Sequence, residues 1–284
     1  MNILVLVGIL VVCIINCFNS FIGYVPVVAM EDVSIESKTE VPILMFHHFV
    51  TDEKECDSSA TITDKKFNEI LDEIESLGYE TISFKDLIDF TEYNKELPDK
   101  PILITMDDGY KSNYEIAFPI LKEKNMKATV SIIGKSTKYT SSYLKNKTLE
   151  HMSWEDLNEM IESGVFEVGN HTFDLHKLKS SGGIRNGITK NFFESEADYS
   201  KAVREDIDSL ENALKVNCNN YENNVFCYPY GYYDDLSEAV ISALGYKVTL
   251  TTDEGINHIE PGDKLIGLKR LNVSMNTEIK DYLK

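Results

Sequence analysis

The stretch that decides the fold is Pro101-Ile102-Leu103-Ile104-Thr105-Met106-Asp107-Asp108-Gly109. Its first half is apolar and β-branched, which is typical of a strand buried on both faces of a parallel sheet. Two adjacent carboxylates and a glycine follow where this strand ends. Because successive side chains of an extended segment point to opposite sides, Asp107 and Asp108 are expected to face different surroundings. One of them can then bind a metal ion while the other moves a proton. The other interpretation is an ordinary Asp-Gly turn.

Short apolar runs of the same kind alternate with amphipathic helical segments along the rest of the chain. The helices are predicted from apolar residues at helical spacing, and the longest has Tyr199, Val203, Ile207, Leu210 and Leu214 on one face. This alternation predicts an α/β fold, and we expect a single domain that forms a distorted (β/α) barrel of about seven strands. In such barrels, catalytic residues lie at the carboxyl ends of the strands. Besides the strand that begins at Pro101, the predicted strands are Val41–Phe46, Tyr79–Ser83, Lys127–Ile133, Val165–Val168, Val225–Tyr228 and Tyr246–Leu250.

The N-terminal segment, residues 1–30, contains no Asp, Glu, Lys or Arg. It is long enough for a membrane anchor, which needs about 20 apolar residues. Val27-Val28-Ala29 also resembles the cleavage site of a signal peptide, and a buried core helix is a third interpretation. We expect the polar linker 31–40 and the domain 41–284 to be exported. The domain is then either secreted or anchored in the membrane through residues 1–30 and facing outside.

The composition excludes several classes of protein. The 284 residues are 43% hydrophobic, which is too high for intrinsic disorder. The net charge is −19, with 28 Lys+Arg against 47 Asp+Glu, and nucleic acid is therefore not an expected partner. Five cysteines are too few for a disulfide scaffold, and outside the N-terminal segment they lack the spacing of a zinc cluster. The sequence does not decide whether Cys218 and Cys227 form a disulfide.

Two further strand ends carry unusual residues. Gly169-Asn170-His171-Thr172-Phe173-Asp174-Leu175-His176 follows the strand at Val165. Two neutral imidazoles and a carboxylate form a common open zinc site, so His171 and His176 are candidate metal ligands. Gly109 and Gly169 are expected where the backbone bends sharply. The third end, Phe226-Cys227-Tyr228-Pro229-Tyr230-Gly231, suits either stacking on sugar rings or a packed turn.

Together, these motifs resemble those of the polysaccharide deacetylase family, the NodB-homology or carbohydrate esterase 4 group. The similarity extends over about residues 41–273. Thr105–Gly109 resembles the first motif, with Met106 in the place of Phe, which implies that Asp107 is the catalytic base and Asp108 a metal ligand. His171-Thr172 resembles the start of the second motif, which implies that both His171 and His176 bind the metal. Pro229-Tyr230-Gly231 resembles the third, which implies that the Tyr230 backbone N–H holds the oxyanion.

The chain departs from the family pattern at three places. His171 and His176 are five residues apart rather than four, as in a branch that includes exported poly-N-acetylglucosamine deacetylases. Cys227 stands where the family usually has an Arg that orients the catalytic Asp, and we hypothesise that Arg270 replaces that Arg. The general acid of the usual Leu-x-His motif is missing, since the chain has Leu268-Lys269-Arg270-Leu271 there.

Phe46-His47 resembles a Tyr-His pair of the same branch, which makes His47 the predicted general acid. His48 is then expected to be packed or to face solvent, and the alternative is that both imidazoles are structural. An imidazole suits the role of general acid because its pKa lies near neutrality. His151 and His258 lie outside the motifs and receive no role.

The resemblance implies a metal-dependent hydrolase that removes N-acetyl groups from N-acetylglucosamine units of a cell-wall or exported polysaccharide and releases acetate. Zn²⁺ is the expected ion, with Mn, Fe, Co or Ni as alternatives. An O-acetyl esterase would use the same residues, and a non-catalytic sugar-binding relative is the other alternative. A glycosidase fits badly, because its two carboxylates must flank the scissile bond about 5–9.5 Å apart. The sequence identifies neither the polymer, peptidoglycan or poly-N-acetylglucosamine, nor the oligomeric state.

Overall fold

A curved parallel sheet of nine strands forms the centre of the structure, a computed structural model that describes residues 38–142 and 149–284. Eight of its strands lie side by side in the order β12-β10-β9-β8-β7-β6-β2-β13, and β5 pairs with β6. All of these pairings are parallel. In chain order the strands are β1 (Thr39–Val41), β2 (Ile43–Phe46), β3 (His48–Val50), β4 (Thr61–Thr63), β5 (Glu80–Thr81), β6 (Pro101–Met106), β7 (Ala128–Ile132), β8 (Phe166–Asn170), β9 (Val225–Cys227), β10 (Val248–Leu250), β11 (Asn257–Ile259), β12 (Leu265–Leu268) and β13 (Leu271–Asn272).

The sheet curls until its two ends approach each other. Its terminal strands in space, β12 and β13, are separated in the chain only by Lys269-Arg270. Because each residue extends a chain by at most about 3.6 Å, Leu268 and Leu271 lie within about 11 Å of one another. This confirms the predicted distorted barrel, and it places Arg270 at the gap where the barrel closes.

Helices pack around the sheet. They are α1 (Asp64–Ser76), α2 (Phe84–Tyr93), α3 (Phe118–Glu123), α4 (Gly134–Ser142), α5 (Trp154–Glu162), α6 (Glu196–Asn217) and α7 (Asp235–Ala243). A capping box begins α5, in which the side chains of Ser153 and Asp156 each accept a hydrogen bond from the other residue's backbone N–H. The five apolar residues predicted on one face of α6 are all buried.

Both faces of the sheet are buried, as β6 shows. Ile102, Ile104 and Met106 belong to one hydrophobic cluster, whereas Leu103 belongs to another. Side chains alternate along a strand, so Thr105 and then Asp107 follow Leu103 toward the inside of the curve. The alternation explains why this strand is apolar at nearly every position and why a carboxylate at its end points into the barrel.

All seven predicted strands are present, but the structure adds others. The run Val41–Phe46 is divided at Pro42 into β1 and β2, and β1 pairs with β11 outside the main sheet. The added strands β12 and β13 are four and two residues long, too short to show a periodic pattern.

Residues 38–284 form one compact unit. Residues 1–30 and most of the linker 31–40 lie outside the described residues. In the part of the chain that is described, no helix is long and apolar enough to span a bilayer. Cys56, Cys218 and Cys227 are free, so the Cys218–Cys227 disulfide does not form.

Candidate active site

Arg270 binds the carboxylate of Asp107 inside the barrel. Its two terminal nitrogens, Nη1 and Nη2, each donate to one carboxylate oxygen at 2.8 Å. The same nitrogens also donate to Thr105 Oγ1 and Cys227 Sγ at 3.2 Å, and Nε donates to the carbonyl of Thr251 at 2.8 Å. These contacts use all five N–H groups of a guanidinium, which is required for a side chain that is only 1% exposed.

The charge of Asp107 depends on this pairing. Burial by itself would raise the pKa of Asp107, but the Arg270 guanidinium holds that pKa well below its usual range. The Cys227 thiol, 3.3 Å from Asp107 Oδ2, adds a third donor to the carboxylate. Asp107 is therefore ionised at neutral pH and fixed in one orientation, as a proton acceptor requires.

A second group of side chains can hold a metal ion. His176 Nε2 lies 3.2 Å and His171 Nε2 3.5 Å from Oδ1 of Asp108. This oxygen is buried and has no hydrogen-bond partner among the described residues. His171 Nδ1 lies 2.8 Å from the carbonyl of Cys227, which places a proton on that nitrogen and makes Nε2, the nitrogen that faces Asp108, the one that would bind a metal. One carboxylate and two imidazoles with an orphaned oxygen between them fit a divalent cation of the zinc type.

Asp107, His171 and Cys227 form another group close enough to share a metal ion. In that group, however, both oxygens of Asp107 and the sulfur of Cys227 already accept hydrogen bonds from Arg270. A cation there would also lie against the buried guanidinium and be repelled by it. The group formed by Asp108, His171 and His176 has no such conflict.

Burial and neighbouring charges together set the protonation states of the metal-binding group. Burial would lower the pKa of His171, but the neighbouring Cys227 and Asp108 raise that pKa above its usual value, so this imidazole would release a proton on binding a metal ion. Burial, and next the neighbouring His171, lower the pKa of His176 to about 4, so this imidazole is neutral at pH 7. Burial would raise the pKa of Asp108, but the neighbouring imidazoles of His171 and His176 keep that pKa low. A neutral imidazole and an ionised carboxylate are the forms that bind metal ions.

The backbone is unusual at three of the functional positions. Asp108, Thr172 and Tyr230 have φ values of 70°, 73° and 58°, which non-glycine residues rarely adopt. Such conformations persist only where the surrounding structure over-determines them, and they concentrate at active sites. All three follow strand ends, and the turns there bring Asp108 and Tyr230 to the wall of one cavity.

The two glycines predicted at bends behave differently. Gly109 has a φ of 71°, and a Cβ there would lie 2.8 Å from Ile132 Cγ2, so the predicted bend is confirmed. The prediction is wrong for Gly169, which lies inside β8. A Cβ at Gly169 would come 2.6 Å from Ser131 Oγ, so this glycine allows two strands to pack closely and does not bend the chain.

A cavity of about 470 Å³ opens beside the metal-binding group. Asp108, His176 and Tyr230 line one side, and the Tyr230 ring packs on the His176 ring with centroids 4.3 Å apart. Tyr110 and His151 line another side, with ring centroids 5.1 Å apart. No sequence motif contains His151, and yet this residue lies on the wall of the cavity.

His47 and His48 differ in their surroundings. His48 Nδ1 lies 2.8 Å from Ser112 Oγ, and its ring packs against Tyr110. His47 Nδ1 is buried without a hydrogen-bond partner among the described residues, and the His47 side chain interacts electrostatically with Asp107 and Asp108. Of the two neighbours, His47 is thus the one near the acidic pair, and His48 is packed as expected.

Comparison with known proteins identifies the relatives of this chain. A family model described as polysaccharide deacetylase matches residues 94–249. A Bacillus subtilis (strain 168) protein assigned to the polysaccharide deacetylases is 29% identical over 248 residues, which are 86% of this chain and 76% of that protein. The poly-beta-1,6-N-acetyl-D-glucosamine N-deacetylase of Staphylococcus epidermidis is 27% identical over 194 residues, 68% of this chain and 62% of that protein. The chain thus spans less than two thirds of the staphylococcal enzyme.

Solved structures share the fold. The de-N-acetylase from Aggregatibacter actinomycetemcomitans superposes with a TM-score of 0.73 at 21% identity. The match covers 86% of this chain and 100% of the other. The fold is therefore common to both chains over nearly the whole described domain.

Proposed function

This chain belongs to the polysaccharide deacetylase family, and from that membership we propose that it is a metal-dependent N-deacetylase. Its substrate is an N-acetylglucosamine unit of a cell-wall or exported polysaccharide, and its products are acetate and a glucosamine unit. The observation that carries the proposal is the placement of Asp107, ionised and clamped by Arg270, directly beside the group Asp108, His171 and His176. This combines a fixed proton acceptor with a metal site, the two parts that metal-dependent amide hydrolysis uses.

Asp108, His171 and His176 would hold the metal ion, which we propose to be Zn²⁺. Two imidazoles and one carboxylate are a ligand set that zinc hydrolases use, with one position left for water. When bound, the ion supplies Lewis acidity toward the amide carbonyl and lowers the pKa of bound water towards about 7.

The side chains around the ion divide the proton transfers between them. Asp107 accepts the proton of the attacking water, and Arg270 keeps that carboxylate in place. The backbone N–H of Tyr230 is proposed to donate to the oxyanion, a preorganised contact that typically contributes about 3–4 kcal/mol. His47 is proposed to protonate the departing sugar amine. The reaction changes a neutral amide into a group that is cationic at pH 7, and it therefore changes the charge of the polymer.

The location of the substrate supports export of the enzyme. Cell-wall and exported polysaccharides lie outside the cytoplasmic membrane, and residues 1–30 are uncharged and apolar enough to direct export. We propose that the domain works outside the cell, either secreted or anchored through residues 1–30.

The first test is acetate release by the purified full-length protein from N-acetylglucosamine oligomers, linked β-1,4 in one set and β-1,6 in the other. We expect release that stops on treatment with EDTA and returns on addition of Zn²⁺. Acetylated xylan oligomers are the matched O-acetyl substrate. Release from the xylan alone would replace the N-deacetylase proposal by the esterase alternative, and metal-independent release would contradict the metal site.

The general acid is tested by a pair of neighbouring variants. His47→Gln should lower kcat for acetate release about 100-fold, since a positioned proton donor commonly contributes that much. His48→Gln is the control, because His48 is hydrogen-bonded to Ser112 and packed on Tyr110 and is assigned no role in proton transfer. Steady-state kinetics of both variants at neutral pH checks the assignment. An equal loss in the two variants would assign both imidazoles a structural role.

A further inference from the structure

Three consecutive backbone N–H groups, of residues 172–174, lie in the segment between His171 and His176 and donate to side-chain oxygens. The first donates to Asn170 Oδ1 at 2.8 Å. The next two donate to the two oxygens of Asp206, Oδ1 at 2.7 Å and Oδ2 at 2.9 Å. Every amide of this three-residue run is thus held by an acceptor that belongs to a side chain.

Asp206 belongs to helix α6, whose position is set independently of the loop. The apolar face of α6 is buried in the core, and Ile207 and Leu210 beside Asp206 are 0% exposed. The helix therefore presents the Asp206 carboxylate from a rigid support. A carboxylate that accepts two adjacent amides fixes both the position and the direction of the backbone that carries them.

Asn170, the other acceptor, is also tied to α6. Its side chain is fully buried at the end of β8, and its amide nitrogen donates to Glu211 Oε1 at 3.2 Å. The same Glu211 oxygen accepts the hydroxyl of Tyr221 at 2.7 Å. Because the amide N–H₂ of Asn170 faces Glu211, its carbonyl oxygen faces the loop and accepts the N–H of Thr172.

The loop needs these acceptors because its backbone conformation is unfavourable. Thr172 is β-branched and has a φ of 73°, where such residues are true outliers. A residue in this region returns to a relaxed conformation unless its surroundings prevent it. Relaxation at Thr172 would turn His171, its neighbour in the chain, away from Asp108.

We propose that Asp206 and Asn170 are positioning residues that preset the loop between His171 and His176 for metal binding. The inference rests on the metal site of the proposed function and extends it to two side chains that contact no ligand atom of that site. Asp206 acts through the amides of residues 173 and 174, and Asn170 acts through the amide of residue 172. The loop is then organised before the ion arrives, and the ion does not have to order it.

The sharpest variant is Asp206→Asn, which keeps the shape of the side chain. One of its two oxygens becomes an N–H₂ group that faces a backbone N–H, so one acceptor is lost and two donors oppose each other. We expect the Kd for Zn²⁺ to rise roughly 10- to 100-fold, the usual cost of removing a partner that orients metal ligands. Asp208→Asn is the matched control, because it makes the same change on the same helix at an exposed position. Its Kd should equal that of the wild type.

The measurement is competition with a chromophoric Zn²⁺ chelator on the full-length protein, together with the melting temperature in EDTA. Asp206→Glu keeps the carboxylate and should bind Zn²⁺ more tightly than Asp206→Asn. Saturating Zn²⁺ should restore acetate release by Asp206→Asn. A purely structural role would lower the melting temperature in EDTA and leave the Kd of the folded protein unchanged, and that result would overturn the inference.

Three further outcomes separate this inference from the proposed function. If Asp206→Asn does not fold, Asn170→Ala removes the acceptor of the residue-172 amide and should itself raise the Kd for Zn²⁺ about 10-fold. An unchanged Kd in that variant would contradict the inference. If the wild type binds no Zn²⁺, the proposed metal site fails and the inference fails with it. If the wild type binds Zn²⁺ and the variants bind it equally well, only the inference fails.

Discussion

Asp107→Asn is expected to lower the rate of acetate release about 1,000-fold, within the range that general bases contribute. The amide cannot accept a proton, and its N–H₂ group would face the guanidinium of Arg270, which now contacts both carboxylate oxygens at 2.8 Å. Steady-state kinetics with N-acetylglucosamine oligomers measures the loss. A sugar-binding relative would keep its affinity for the oligomers in this variant and would release no acetate even as the wild type.

The same variant distinguishes the two groups that can hold a metal ion. Asp107→Asn should retain Zn²⁺, whereas Asp108→Asn should lose it, because only Asp108 shares its free oxygen with His171 and His176. Zinc content by atomic absorption after gel filtration provides the comparison. If Asp107→Asn loses Zn²⁺ and Asp108→Asn retains it, the ion is held by Asp107, His171 and Cys227 instead.

Arg270→Ala is expected to affect both activity and stability. It leaves the carboxylate of Asp107 buried without its cation, and breaking a buried pair in this way costs about 3–5 kcal/mol of unfolding free energy. The rate of acetate release should fall roughly 100-fold, because the base is no longer held in place. Urea unfolding in EDTA and steady-state kinetics measure the two effects. Undiminished turnover in Arg270→Ala would contradict the role of this residue.

The loss of unfolding free energy in Arg270→Ala should be larger at neutral pH than at acidic pH. The pKa of Asp107 is held below its unfolded value of about 3.9, so the pair stabilises the fold above about pH 4. This stabilisation is lost as the pH falls through the lower, folded-state pKa. The difference in unfolding free energy between the wild type and Arg270→Ala should therefore be largest near pH 7 and should narrow below about pH 4. Arg270→Lys keeps the positive charge but not the planar guanidinium. Its free energy of unfolding at pH 7 should therefore lie between those of the wild type and Arg270→Ala.

Some residues near the site could not be predicted from sequence patterns. His151 follows no recognisable strand and has no motif around it, yet it lines the cavity with Asp108 and His176. Asp206 and Glu211 lie on the long helix α6, where acidic residues usually face solvent. Only the packing of this helix against the loop after β8 gives these two carboxylates their buried partners.

The sequence by itself determined the parallel α/β class, all seven of the strands it predicted, and the two strand ends that supply Asp107, Asp108, His171 and His176. These features are local, because a buried strand is apolar throughout and its end is marked by polar residues and glycine. The sequence offered Arg270 as the partner of Asp107 only as a hypothesis based on resemblance, and the tertiary structure decided the contact. Arg270 lies 163 residues away in the chain, and it reaches Asp107 because the barrel closes between β12 and β13. Contacts across such a closure depend on the curvature of the whole sheet, which no local pattern of residues encodes.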